Sequence, residues 1–169
     1  MVFNETAAAY GLFQVVFAEM HEYLAAATYH LRRRNEQSLQ YEKVHRQGFE
    51  KTLKQFRKQL CQLSDSGGVA EGIEALKKAC DSMACLAQWR NERVHARVLR
   101  TEEGLELYAP LRDNPGKAQR LEMSKGFFEE RIREAIKVTV TFQAAHLISQ
   151  IRMKEEIDRL WASLPADPE

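Results

Sequence analysis

The sequence predicts an all-α fold, an up-and-down bundle of about four long helices. Apolar residues recur at helical spacing in four segments. Glycine (8) and proline (4) are sparse among 169 residues. Only the stretch after His95 alternates apolar and polar residues as a strand does. Hydrophobic residues make up 44% and charged residues 29%, a globular composition for a chain long enough to bury one sizeable core. One domain is expected over 1–164, with 165–169 as a short tail marked by Pro165 and Pro168.

The first helix is expected from about Glu5 to Arg34, with Asn4 as its N-cap. Phe13, Phe17, Met20, Leu24 and Leu31 form its core stripe. Leu12, Val15, Glu19, Tyr23 and Ala26 form a second stripe, and a helix apolar on two sides needs two surfaces to bury against. One is its own domain; the other suits a partner subunit. The second helix is expected over 39–63, with Phe49, Leu53, Phe56 and Leu60 inward and a basic outer face. Gly67 and Gly68 precede a third helix from about Val69. Its stripe of Ile73, Leu76, Cys80, Met83, Ala87 and Val94 reaches Val98 if the helix continues. A short hairpin or extended excursion is expected between His95 and Pro110, then a loop around Asn114-Pro115-Gly116. The last helix runs from about Ser124, its cap, to Ser163.

Several function classes fall away. A formal net charge of +1 argues against a strongly basic nucleic-acid binder, so such binding needs a local patch. Cys61, Cys80 and Cys85 lack the spacing of a disulfide framework or of a zinc site, and no signal peptide is seen, so a cytoplasmic protein with reduced thiols is expected. No apolar run approaches the ~18 residues of a membrane span. Neither a metal site nor a cofactor is expected.

The chemistry concentrates in Cys85 to Arg100, "CLAQWRNERVHARVLR". On a helical wheel Arg90 falls among Met83, Ala87 and Val94, with Asn91 at the edge and Arg93 and Arg97 on the flank. A guanidinium on an apolar face requires a partner or a wet cleft. Glu19, also set in an apolar stripe, is the structural partner to test. His95 lies about 140° from Arg90 on an ideal helix. The two converge only where the helix ends, or where two copies face each other. Arg90, Arg93, Arg97 and Arg100 surround the histidine with a charge cluster able to hold a phosphate. Trp89 reads as a packing residue and His146 as a core histidine, while His21 and His30 read as surface residues of the first helix.

The run "RNERVH", Arg90 to His95, resembles the R-N-x-x-x-H signature of HEPN (higher eukaryotes and prokaryotes nucleotide-binding) domains. The element pattern is similar too: two long helices, a third with the motif near its end, a variable excursion, and a last long helix. The resemblance implies a homodimer whose two motifs face a shared cleft. It further implies metal-independent RNA cleavage that leaves a cyclic phosphate, in a toxin-antitoxin or phage-defence setting with an antitoxin or other partner protein. Arg90 and Asn91 would then hold the scissile phosphate and His95 would act as acid or base, with Arg93 and Arg97 adding charge for the substrate. Two alternatives stand beside this reading. One is a non-catalytic HEPN-like module that binds RNA or a nucleotide or serves dimerisation. The other is a helical interaction domain with an accidental motif.

Overall fold

The computed structural model describes residues 2–33, 36–63, 70–101, 104–111, 114–121 and 124–163. The glycine pair at 67–68 and the expected tail at 165–169 lie outside them. The fold is all-α with one small sheet. Its helices are α1 (Val2–Arg33), α2 (Tyr41–His45), α3 (Phe49–Gln62), α4 (Ala70–Val94) and α5 (Lys125–Ser163). Three antiparallel strands follow α4: β1 (Arg97–Thr101), β2 (Gly104–Leu111) and β3 (Asn114–Leu121), in the order β1-β2-β3.

Three boundaries differ from expectation. Asn4 does not cap α1, because the helix already begins at Val2. The expected second helix is two helices, because Gly48 adopts φ 78 and ψ 158, a conformation open essentially to glycine alone. The expected hairpin is a three-stranded meander, and the segment read as a loop around Asn114-Pro115-Gly116 begins β3. β3 is an edge strand, where a proline's missing N–H breaks no ladder on its open side. Ser124 does cap α5, its hydroxyl accepting from the Phe127 N–H at 3.2 Å.

The break at Gly48 sets the bundle's order. Tyr41 lies 5.8 Å from Tyr29 and His45 lies 5.5 Å from His21 (ring centroids), so the α2 segment runs back along α1. Ala25, Leu39 and Val44 bury together to seat it. Phe49 then meets Phe17 at 4.7 Å, and α3 starts again near the middle of α1. Replacing Gly48 by alanine is therefore expected to lower stability by about 1–2 kcal/mol. No atom lies within 4 Å of the added Cβ, so the loss is backbone strain alone. Urea titration of both proteins measures it.

The remaining helices close the core. α4 runs opposite to α5, with Trp89 against Phe128 (5.7 Å) at one end and Gly72 against Ser149 at the other. α5 runs alongside α1, with Lys125 bonded to Glu5 (3.2 Å) and Tyr10 packed on Phe128 (5.3 Å). Phe13, Met20 and Leu24 of α1, Phe56 and Leu60 of α3, Leu76 and Met83 of α4, and Phe142 of α5 fill the centre. Cys80 is buried there and its thiol is pushed up to about 12, chiefly by burial, whereas Cys61 and Cys85 are exposed. A thiol reagent at neutral pH should titrate two cysteines quickly and the third only after denaturation.

Candidate phosphate-binding site

The last turns of α4 present opposite sides to different neighbours. On one side Trp89 packs edge-on to Phe13 (4.9 Å) and against Phe127 (5.5 Å), the packing role expected of it. Arg93 lies with this group. Its guanidinium sits 3.9 Å from the Trp89 ring and 5.0 Å from the Phe127 ring, and Nη1 donates to the Trp89 carbonyl at 3.3 Å. At 8% exposure it is packed between aromatic faces rather than standing out on the flank.

Arg90 is held differently. Its Nε donates to Gln14 Oε1 (3.0 Å), its Nη1 donates to Asn91 Oδ1 (3.3 Å), and its guanidinium lies 5.2 Å from the Phe17 ring. Asn91 in turn donates through Nδ2 to Glu50 Oε1 at 2.8 Å. A hydrogen-bonded chain thus crosses from α1 through α4 to the start of α3. Glu19 is exposed and takes no part, so the expected Arg90–Glu19 pair is replaced by a neutral amide. Among the described residues no carboxylate lies within ion-pair distance of Arg90. The Gln14 Nε2 donor is also buried without an acceptor. A half-buried cation fixed by neutral groups is an arrangement that an anion can complete.

His95 follows the last residue of α4, its N–H still donating to the Asn91 carbonyl at 3.1 Å. Its side chain is exposed, as is that of Arg97 at the start of β1. Helical spacing puts Asn91 and His95 on one edge, four residues apart. Arg90 is turned away toward α1, and Asn91 Oδ1 is what connects it to that edge. Val94 is 43% exposed, so the apolar arc of α4 ends before it rather than reaching Val98, which stands in β1.

One histidine beside this site differs from expectation. His21 is half-buried rather than on the surface. Its ring stacks on His45 and meets Phe49 edge-on at 5.7 Å, and its Nε2 is buried without a partner. Burial pushes its pKa down, and the His45 and Arg90 charges add to this against the opposing pull of Glu22. Glu22 takes hydrogen bonds from Tyr41 (2.8 Å) and shares one with His45 (2.6 Å). The Tyr41 bond is the larger reason its carboxyl lies below the usual range. Both depressed groups act in the same direction. The unfolded chain binds their protons more tightly, so stability falls as pH drops through about 6.5 for His21 and falls again through the depressed pKa of Glu22. Urea midpoints at pH 7.5 and 5.5 should show the first loss, and His21→Gln should reduce it. His146 is half-buried rather than in the core, stacked on Phe142 and 3.3 Å from Gln150 Nε2.

The chain matches no family model, no curated protein and no solved structure.

Proposed function

We propose that this chain is a HEPN-like, metal-independent endoribonuclease working as a homodimer. The observation that carries the reading is Arg90, a half-buried guanidinium held by amides, with no carboxylate among the described residues at ion-pair distance. A scissile phosphate supplies that charge. Arg90 would stabilise the charge that builds on the phosphoryl oxygens, and Asn91 would hold the arginine in place. His95 would exchange a proton with the ribose 2′-hydroxyl or the departing 5′-oxygen. As the 2′-oxygen bonds to phosphorus the P–O5′ bond breaks, which leaves a cyclic phosphate. Arg97, exposed beside His95, adds charge along the strand. A toxin-antitoxin or defence role, with an antitoxin as partner protein, follows from the motif resemblance alone.

The dimer reading draws on a broad apolar face. Leu12, Val15 and Tyr23 on α1 and Ile136, Val140, Leu147 and Ile151 on α5 are 47–57% exposed. His30 of α1 lines one shallow groove with Leu147 and Ile151, so the two helices form one surface. Seven large apolar side chains, each about half exposed along two adjacent helices, are suitable material for an interface of the standard size, roughly 800 Å² per partner. Gln14, which holds Arg90, projects about 150° away on average from this stripe of α1. A dimer built here keeps one site on each protomer, in contrast to the shared cleft that the resemblance implies.

A second reading has its own support. The bonds of Arg90 and Asn91 tie α1, α3 and α4 together, as they would in a module that binds RNA or a nucleotide without cutting it. Incubation of purified protein with a mixed RNA pool in excess EDTA separates the two. Fragments ending in cyclic phosphate are expected; retention of intact RNA points to the binding module.

A further inference from the structure

We propose that the groove between α3 and α4 seats one nucleotide of a single-stranded RNA, with the base on its apolar floor and a phosphate at Lys54. This rests on the RNA reading above and adds a substrate subsite to it. The groove encloses about 390 Å³. That is near the lower end of the range of roughly 300–1,000 Å³ for small-molecule sites, and suits one nucleotide rather than a folded partner. Leu53, Ala84 and Ala87 make the floor, where the two alanines leave the space. The Gln88 amide and the Glu50 carboxylate stand at the rim; Gln88 Nε2 donates to Glu92 at 3.2 Å and Glu50 Oε1 accepts from Asn91, which leaves Gln88 Oε1 and Glu50 Oε2 as acceptors for the amino edge of a base. Two cations line the same groove. Arg57 is engaged by Asp81 at 2.5 Å, whereas Lys54 is exposed and makes no ion pair among the described residues.

The position of the groove joins it to the chemistry. Ala84, Gln88, Asn91 and His95 follow one another at spacings of four, three and four, which keeps them on one edge of α4. The Asn91–Glu50 hydrogen bond closes the groove on the side of Arg90. His95 lies about 10 Å beyond Gln88 along the helix axis. A base seated at Gln88 therefore places the neighbouring nucleotide at His95 and Arg97. The groove selects a single strand, because a base must leave its stack to lie on the floor.

The test is fluorescence anisotropy with a 5′-fluorescein octaribonucleotide of mixed sequence, in EDTA and low salt. The His95→Ala protein serves as parent so that the probe stays intact. Lys54→Glu, at an exposed position, and Ala84→Trp, which fills the groove, should each weaken binding at least about tenfold. Lys137→Glu makes the same charge change at an exposed position on α5 and should weaken binding less than about twofold. Circular dichroism of each variant checks the fold. Binding by both groove variants at parental strength overturns the groove assignment and leaves the RNA reading standing. Equal weakening by Lys54→Glu and Lys137→Glu, with no effect of Ala84→Trp, also overturns it, since charge alone then accounts for binding. Failure of both wild type and parent to bind the probe defeats the RNA reading itself, and the groove assignment with it.

Discussion

Replacing His95 by alanine is expected to lower RNA cleavage by about 10²- to 10⁴-fold, the usual worth of a positioned acid or base. Its side chain is exposed just past the end of α4, so truncation leaves no core cavity and the melting temperature should hardly move. Wild type and His95→Ala, purified alike and given the same RNA pool with chelator, make the comparison. Cleavage at equal rates by the two proteins would trace the activity to a contaminant and defeat the catalytic assignment. Arg90→Ala is a less clean probe, because it also cuts the link between Gln14 on α1 and Asn91 on α4. Loss of cleavage there has to be read beside a stability measurement.

The second large effect concerns assembly. Val140→Glu combined with Leu147→Glu sets two carboxylates seven residues apart on the exposed stripe of α5. Both positions are 57% exposed in the single chain, so the monomer should keep its fold. In a dimer built on this face the carboxylates would be buried without partners, each costing several kcal/mol. Light scattering at tens of micromolar should give twice the chain mass for wild type and the chain mass for the double variant. A wild-type monomer at that concentration defeats the dimer proposal. A double variant that stays dimeric, with Arg90 variants that fall apart, would move the interface to the motif as the HEPN resemblance implies.

Helical periodicity was enough to read the class of the fold, because each long helix carries an apolar stripe, interrupted in α4 only near its end by Arg90, and local spacing reports it. The cap at Ser124 and the packing of Trp89 were legible for the same reason: each depends on neighbours close in sequence or on residue type. Gly48 was not legible as a break, since one glycine within a helical pattern is tolerated and its φ is set by tertiary packing. The partners of the motif were hidden by distance along the chain. Gln14 lies 76 residues before Arg90 and Glu50 lies 41 before Asn91. Gln14 did leave a trace, a polar residue between Phe13 and Val15. Arg93 looked like a surface cation because the wheel counts only its own helix, whereas Phe127 of α5 supplies the second aromatic face.

The side-by-side packing of α1 and α5 bears on how the chain is made. Glu5 and Lys125 meet across 120 residues, so α1 leaves the ribosome long before the helix that covers it. At the usual ~5–20 residues per second, that interval is roughly 6–24 s. During it Phe13 and Met20 lack part of their final cover, although α3 and α4 can already gather around them. A nascent chain in this state displays a long apolar helix of the kind that chaperones hold. Synthesis of α5 then both completes the core and brings up the second half of the exposed stripe, so the surface for self-association is finished only when the fold itself is.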